Sequence, residues 1–398
     1  MNKPFLSPWN MEQLHRSPRI YPSDVNAASG IHSIFYEGLP FQGKATRIFA
    51  HYGLPEAAVH EKVPAIVLVH GGGGTAYEEW VSLWTSRGYA AIAMDLEGHI
   101  PDKSEGTTKR LVHTMPGPSR EGIFVDCDEP VEEQWMYHAA ANVMLAHSLL
   151  RSMPSVDPQR IGITGISWGG IVASLVAGID NRFAFGIPVY GCGFLYEAHN
   201  EWGQRFVDMG EASAESVKRL TEPSAYLSRV TMPMLWVNWL CDPHFGMNIF
   251  SKSYTLAKNG IEQSGLCIYP RLGHSHPLGW KPDEIYAFAD SIVRGGKPLL
   301  RLGEPSEKDG AAFVDYSSAE GNEPLHAELY YTANCDNWQL CEWATADCTL
   351  NRSDNRVSIR LPQDAKAFFI NVRDSRGHTS STPVIVRSPR LHADSGTL

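Results

Sequence analysis

The sequence predicts an α/β protein with a doubly wound, mostly parallel sheet, followed by a small all-β sandwich. Between residues 65 and 295, short apolar segments alternate with segments of helical spacing. This alternation is typical of a parallel sheet that is covered by helices on both faces. After about residue 310, strand-like segments are separated by Asn- and Asp-rich turns, which indicates an antiparallel sandwich.

Each element follows from apolar periodicity and from the turn signals beside it. Two loosely alternating segments predict antiparallel edge strands at 31–36 and 45–52, before the first buried strand. The remaining strands of the main sheet are predicted at 65–69, 90–94, 160–164, 183–189, 234–239 and 266–269, with helices at 77–87 and 131–151. The sandwich strands are predicted at 327–332, 338–343, 357–361 and 367–373.

These elements predict three parts of the chain. Residues 1–30 are rich in proline and aperiodic, and form a lead-in; residues 31–300 form the α/β domain; residues 310–390 form the sandwich. A segment rich in Gly, Pro and charge at 97–130 is long enough to shape a site.

Composition narrows the class of protein. The chain has 398 residues, 43% of them hydrophobic, and a formal net charge of −10. This negative net charge argues against nucleic acid or an anionic membrane as partners. It does not argue against assembly of the chain into a homo-oligomer. The seven cysteines form no metal-binding spacing, and the first ten residues contain no apolar signal segment. We therefore expect a cytoplasmic protein with free thiols.

The strongest local signal is a G-x-S-x-G pentapeptide centred on Ser167. It follows the apolar strand 160–164 and precedes a helix of small residues. A serine on such a strand-to-helix turn is exposed above the edge of the sheet, and only glycines fit around a bend this sharp. The context predicts that Ser167 is a nucleophile and not an ordinary turn serine.

Two later loops supply the partners that a nucleophilic serine needs. Asp242 follows the strand 234–239 and His274 follows the strand 266–269, in the order nucleophile, acid, base. Gly273 would allow the loop to turn sharply, which favours His274 over His276 as the base. A metal site at His244, His274 and His276 is disfavoured because no helix carries a carboxylate–histidine spacing.

The oxyanion donors are expected from two backbone segments. The N–H of Trp168 follows the nucleophile, and the loop His70-Gly71-Gly72-Gly73-Gly74 follows the strand 65–69. Gly72 and Gly73 are the candidates in this loop, and His70 is expected to be structural. A phosphate-binding loop is disfavoured because the G-K-[ST] ending is absent.

Aromatic and imidazole side chains beside these loops are candidates for substrate binding. We expect Trp80, Tyr190, Phe194 and His276 to line the cleft. Trp338 and Trp343 could stack on a sugar, although packing in the core of the sandwich is the preferred interpretation.

These segments resemble the α/β-hydrolase superfamily, in particular the branch of acetyl xylan esterases, dienelactone-hydrolase-like proteins and prolyl-oligopeptidase-type domains. The resemblance rests on the glycine loop 68–74, the elbow segment 156–170 and Gly273-His274-Ser275-His276. It implies that Ser167, Asp242 and His274 form a catalytic triad and that hydrolysis needs no cofactor. The last part is similar to Ig-like domains appended to some esterase-like hydrolases.

The expected function is hydrolysis of a carboxylic ester through an acyl-enzyme, with an acetylated sugar or oligosaccharide as the expected substrate. A peptidase or amidase is the first alternative; about 60 residues before His70 are too few for the β-propeller of prolyl-oligopeptidase-type enzymes, which favours an ester. The second alternative is a pseudo-hydrolase that only binds ligands or partners.

Overall fold

The computed structural model describes residues 7–102, 109–258 and 260–387. Positions 1–6 of the predicted lead-in, 103–108 of the segment 97–130, and 388–390 of the predicted sandwich lie outside the described residues. The first eleven described strands are β1 (Ile20–Pro22), β2 (Ile31–Glu37), β3 (Arg47–Gly53), β4 (Val63–Val69), β5 (Ala90–Met94), β6 (His99–Pro101), β7 (Arg110–Val112), β8 (Val156–Ile166), β9 (Phe185–Val189), β10 (Leu235–Trp239) and β11 (Gly265–Tyr269). The helices are α1 (Met11–Leu14), α2 (Glu78–Thr85), α3 (Trp135–Ser152), α4 (Trp168–Ala177), α5 (Glu201–Asp208), α6 (Glu211–Leu220), α7 (Ser224–Leu227), α8 (Met247–Lys258), α9 (His276–Gly279) and α10 (Asp283–Val293).

The main sheet has nine strands in the order β1-β2-β3-β5-β4-β8-β9-β10-β11. Strands β1, β2 and β3 pair antiparallel, and β3 also pairs antiparallel with β5. The strands β5, β4, β8, β9, β10 and β11 run parallel to one another. Every residue of β4, β5 and β9 is buried, because helices cover both faces of the parallel part. The predicted doubly wound, mostly parallel sheet is confirmed.

The register of the parallel strands determines where the site forms. Val69, the last residue of β4, pairs with Gly165 in β8, and Ile166 pairs with Val189 at the end of β9. The loops that follow β4, β8, β10 and β11 therefore leave the same edge of the sheet. This is the edge at which open α/β sheets bind ligands.

The remaining strands form the C-terminal all-β part. One sheet has the order β12-β14-β18-β17 with β13 on β14, and the other has the order β16-β15-β19-β20 with β21 on β19. Apolar side chains of both sheets form one buried cluster, as the sandwich prediction requires. The strands are β12 (Arg301–Leu302), β13 (Ser306–Lys308), β14 (Ala311–Ser317), β15 (Pro324–Thr332), β16 (Ala344–Asp347), β17 (Thr349–Asn351), β18 (Arg356–Arg360), β19 (Ala367–Asp374), β20 (Thr379–Ser381) and β21 (Ile385–Val386).

The sandwich packs against β11, the outer strand of the main sheet. The Ile268 N–H donates to Ser381 Oγ at 2.7 Å, and Asn371 Nδ2 donates to the Ile268 carbonyl at 2.9 Å. Side chains from β19 and β20 thus satisfy backbone groups that an edge strand otherwise exposes. The division of the chain into three domains stays a prediction.

Three local predictions are corrected. The predicted strand 338–343 is instead a 3-10 helix at Trp338–Leu340, which Asn337 caps by accepting from the Gln339 N–H. The predicted lead-in contains α1 and β1, and β1 extends the sheet by pairing with β2. The predicted strand 160–164 is longer, since β8 begins at Val156, and a register shift opposite Val63–Ala65 accommodates Pro158. Within the described residues, no helix is long and apolar enough to cross a membrane.

Candidate active site

Ser167 lies on the turn between β8 and α4 with φ 58° and ψ −120°. This is an unfavourable backbone conformation for a residue with a Cβ, and it is held by the packing of the turn. A Cβ on Gly165 would lie 2.0 Å from the Gly169 oxygen, and one on Gly169 would lie 1.9 Å from the Val69 oxygen. Both glycines are therefore required by close approach of the backbone, which is the reason for the G-x-S-x-G pattern.

The structure brings Ser167, His274 and Asp242 into one hydrogen-bonded chain. His274 Nε2 lies 2.8 Å from Ser167 Oγ, and His274 Nδ1 lies 2.7 Å from Asp242 Oδ2. Because the Asp242 carboxylate can only accept, Nδ1 carries the proton and Nε2 presents a lone pair to the serine hydroxyl. The geometry suits proton transfer from the serine to the imidazole.

The carboxylate of Asp242 is itself held rigidly. Its side chain is fully buried, and Oδ1 accepts from the N–H groups of His244 and Phe245 at 2.9 Å each. Oδ2 also accepts from Trp239 Nε1 at 3.0 Å. These donors hold the carboxylate in place and aim one oxygen at the imidazole.

Tyr190 supports the imidazole from behind. Its ring centroid lies 4.3 Å from that of His274, and its hydroxyl donates to the carbonyl of Ser275. Burial raises the pKa of Tyr190, so the hydroxyl stays protonated as a donor. The side chain is fully buried, which corrects the prediction that Tyr190 contacts the substrate.

The N–H groups of the glycine loop have different environments. The Gly71 N–H donates to His276 Nε2 at 2.8 Å, the Gly74 N–H donates to the Gly71 carbonyl at 3.0 Å, and the Gly73 N–H faces Glu97 Oε1 at 3.5 Å. In the described part of the chain, the Gly72 N–H has no protein acceptor. Of the two glycines predicted as oxyanion donors, the geometry therefore favours Gly72.

The second predicted donor is the N–H of Trp168, the first residue of α4. As the first helical residue it has no intrahelical acceptor, and the helix dipole adds a partial positive charge. A Cβ on Gly72 would lie 2.9 Å from Trp168 Cδ1, so the two residues are neighbours across the cleft floor. Within the described residues, two neighbouring N–H groups, those of Gly72 and Trp168, are therefore available as donors next to the elbow.

His276 holds the glycine loop. Because Nε2 accepts from Gly71, Nδ1 carries the proton and faces the Tyr77 hydroxyl at 3.2 Å. Burial, and repulsion from the neighbouring imidazoles if these are protonated, lowers the pKa of His276 to about 3. The neutral ring is therefore an acceptor for the Gly71 N–H at neutral pH, and its assignment to substrate binding stays a prediction.

His70 anchors the start of the same loop. Its Nδ1 donates to the Gly71 carbonyl at 2.7 Å, and its Nε2 accepts from the Leu96 N–H at 2.9 Å. The side chain is buried, in line with the structural role expected from the sequence.

Two predicted aromatic contacts lie elsewhere. Trp80 is 2% exposed and packs on Trp280, with ring centroids 5.4 Å apart, so it belongs to the core behind the loop. Phe194 lines a cavity of about 510 Å³ between α8 and the sandwich, together with Trp338 and Val384. Trp338 is buried in the core, which agrees with the preferred interpretation of that residue.

Several cleft residues were missed by sequence reasoning. The Trp168 ring is packed by Phe124, Trp135 and Trp202, at centroid distances of 5.8, 5.2 and 4.7 Å, and Arg120 lies over it at 5.0 Å. These residues come from segments 30 or more positions away from Ser167, and no periodic pattern points to them.

The metal alternative has no support in the side-chain geometry. His244 Nδ1 pairs with Glu201 Oε1 at 2.8 Å, and its ring lies 4.8 Å from that of His274. Among the residues that the structure describes, no group of three or more His, Cys, Asp or Glu side chains could hold a metal ion.

Similar proteins of known structure share this fold. The acetyl xylan esterase 1 of Thermoanaerobacterium sp. JW/SL YS485 is 19% identical, with 72% of this chain and 95% of that chain covered and a TM-score of 0.51. The acetyl xylan esterase of Paenibacillus sp. R4 is 19% identical, with 71% and 92% covered and a TM-score of 0.52. At this level of identity the likeness concerns the fold alone.

A curated relative and a family model complete the comparison. The uncharacterized peptidase YuxL of Bacillus subtilis (strain 168) is 22% identical over 223 residues, which are 53% of this chain and 31% of that protein's length. The family model described as acetyl xylan esterase (AXE1) matches residues 8–212, a range that includes the glycine loop and Ser167 but ends before Asp242 and His274. Because this match covers more than half of the sequence, the chain belongs to the acetyl xylan esterase (AXE1) family.

Proposed function

We propose that this protein is a serine hydrolase that cleaves carboxylic esters through an acyl-enzyme. The proposal rests on one observation above all, the hydrogen-bonded chain from Ser167 Oγ through His274 to Asp242. The free N–H groups of Gly72 and Trp168 beside this chain give it the second requirement of acyl transfer. Membership of the acetyl xylan esterase family supports an ester as the substrate.

In the first half-reaction, His274 Nε2 takes the proton of Ser167 Oγ as the oxygen attacks the ester carbonyl carbon. The carbonyl oxygen becomes an oxyanion, and the N–H groups of Gly72 and Trp168 are the donors that stabilise it. His274 then gives its proton to the leaving alkoxide, which departs as the alcohol and leaves the acyl group on Ser167.

In the second half-reaction, His274 takes a proton from water, and the resulting hydroxide attacks the acyl carbon. The tetrahedral intermediate collapses, Ser167 regains its proton from the imidazole, and the carboxylic acid is released. Asp242 stays ionised throughout, because its donors hold it in place and it stabilises the imidazolium.

We further propose an acetyl ester of a sugar as the substrate class. Two relatives of the same fold are acetyl xylan esterases, and the family carries the same description. A peptide or amide substrate is the second candidate, since another relative is named a peptidase.

The test is turnover of p-nitrophenyl acetate and of acetylated xylose by the purified protein. We expect Ser167→Ala to lower kcat by about 10⁴-fold or more, because the nucleophile is lost. A fluorophosphonate probe should label the wild type and not the variant. Ser317→Ala, which changes an exposed serine of β14, is the matched control and should behave as the wild type. Turnover of aminoacyl anilides without turnover of any ester would refute the esterase proposal.

A further inference from the structure

Arg120 lies between the two residues that carry the free N–H donors. Its Nη2 is 2.6 Å from the point that a Cβ on Gly72 would occupy, and its Cζ lies 5.0 Å from the centroid of the Trp168 ring. The side chain is 18% exposed, so it is partly accessible to solvent beside Gly72 and Trp168. A group bound beside the oxyanion donors would therefore meet this guanidinium.

The charge of Arg120 is only partly balanced. Glu97 is buried, and it is shared between Arg110 Nη1 at 2.6 Å and Arg120 Nε at 3.3 Å. Arg110 also donates to the Gly74 carbonyl at 2.8 Å, which fixes it under the glycine loop. Two guanidinium groups face one carboxylate, and the cluster carries a formal charge of +1.

Among the described residues, the acidic side chains closest to Arg120 in the chain do not pair with it. Glu121 is exposed to solvent, and Asp126 accepts from the Trp135 N–H at 2.6 Å. Arg205 donates to the carbonyls of Ile123 and Phe124 and so adds a further positive charge on this side. Arg120 Nη1 faces the Gly122 carbonyl at 3.4 Å, and within the described residues Nη2 donates to no protein acceptor.

We propose that Arg120 is a specificity-determining residue that binds a carboxylate of the ester substrate, and that the preferred substrates carry this negative charge close to the scissile bond. The inference rests on the proposed function and deepens it. A partly buried cation with one free N–H edge gains most from an ionised acceptor, since charge-assisted hydrogen bonds are about twice as strong as neutral ones. Within the proposed class of acetylated sugars, this favours a sugar that carries a carboxylate over a neutral one.

The experiment compares two pairs of esters of matched shape. Mono-p-nitrophenyl succinate and p-nitrophenyl 4-methylpentanoate place a carboxylate or an isopropyl group on the acyl side. The second pair, 4-acetoxybenzoate and 4-isopropylphenyl acetate, places a carboxylate or an isopropyl group on the alcohol side. The quantity measured is the ratio of kcat/KM for the anionic ester to that for the neutral ester in each pair.

We expect Arg120→Met to lower this ratio by about 10- to 100-fold in at least one pair, with a smaller effect on the neutral ester. Arg120→Lys should retain part of the preference, because it keeps the charge without the planar fork. Glu97→Gln should raise the ratio several-fold, because it removes the competing anion and keeps the shape of the side chain. Arg356→Met removes an exposed guanidinium of the sandwich and is the control for net charge.

Two results would overturn the inference. Unchanged ratios in both pairs would show that Arg120 does not recognise a carboxylate, and an equal loss for all four esters would assign it to the scaffold or to the chemical step. A wild-type protein that hydrolyses none of the four esters would instead refute the proposed function. Circular dichroism of each variant separates these outcomes from unfolding.

Discussion

The elbow around Ser167 and the glycine loop after β4 face each other across the cleft, but they are held in different ways. The elbow is fixed by close backbone contacts, since a Cβ on Gly165 would meet the Gly169 oxygen and a Cβ on Gly169 would meet the Val69 oxygen of β4. The glycine loop is held by side chains from distant segments, with His276 on the Gly71 N–H and Arg110 on the Gly74 carbonyl.

The difference shows that backbone contacts and long-range side-chain hydrogen bonds constrain the amino-acid sequence in different ways. Close backbone contacts leave a local pattern, because they require glycine at fixed positions beside Ser167, whether the partner is near in the chain, as Gly169 is to Gly165, or distant, as Val69 is to Gly169. A loop that is held by long-range hydrogen bonds leaves only a run of glycines, which is compatible with several conformations. The elbow should therefore fail by loss of folding, and the loop by loss of catalysis.

The largest effect is expected from the elbow itself. In Gly169→Ala, the new Cβ would lie 1.9 Å from the Val69 oxygen, and backbone atoms cannot yield as a flexible side chain does. We expect the free energy of unfolding to fall by more than about 4 kcal/mol, as measured by urea denaturation. A variant of near wild-type stability would show that the elbow and β4 can separate, contrary to the comparison.

The glycine loop should respond in activity and not in stability. His276→Phe removes the acceptor of the Gly71 N–H while filling the same space, so the loop loses its position relative to Trp168. We expect kcat for p-nitrophenyl acetate to fall by about 10²- to 10³-fold, the usual cost of a lost oxyanion donor.

Tyr77→Phe is the matched control for that variant. It removes only the hydroxyl that faces His276 Nδ1, and we expect a reduction of a few-fold in kcat. Equal losses in the two variants would indicate a general packing defect and not a positioning role for the Nε2 acceptor.

The buried carboxylate of Glu222 makes the stability of the protein depend on pH. Burial raises the pKa of Glu222 from 4.5 to about 7, against the hydrogen bonds that it accepts from Ser224 and from the Leu195 N–H. Between these two pH values the folded protein binds a proton that the unfolded chain has lost. Stability therefore falls as the pH rises, by up to about 3 kcal/mol.

In Glu222→Gln this pH-dependent loss should disappear. The variant is expected to be less stable than the wild type at pH 5, because one acceptor is lost. At pH 8 the difference in the free energy of unfolding between the two proteins should be smaller, because only the wild type has lost stability. Parallel urea denaturation curves at the two pH values measure the difference. A constant gap would contradict the raised pKa.

The smallest effect is expected at Gly73. Its φ is +69°, but no heavy atom lies within 4 Å of the point that a Cβ would occupy. Gly73→Ala should cost about 1–2 kcal/mol of stability, the penalty of a left-handed backbone, and little activity. A loss of activity like that of His276→Phe would favour Gly73 over Gly72 as the oxyanion donor.

The sequence was sufficient for most of the sheet, because buried parallel strands are continuous apolar segments with turn residues beside them. It was insufficient where tertiary contacts override local preference. Trp338 and its neighbours have the composition of a strand, but Asn337 caps a short 3-10 helix there. This helix packs against Gly246, in the loop that precedes α8.

The site shows the same division. Ser167, Asp242 and His274 are identifiable as candidates from the sequence, because each follows the end of a recognisable strand and such ends meet at one edge of a parallel sheet. Three other features appear only in the folded chain: within the described residues the Gly72 N–H has no acceptor, His276 and Tyr190 support the site, and Arg120 lies beside Trp168. These facts depend on distances between residues that are far apart in the chain, and such distances leave no period or spacing in the sequence.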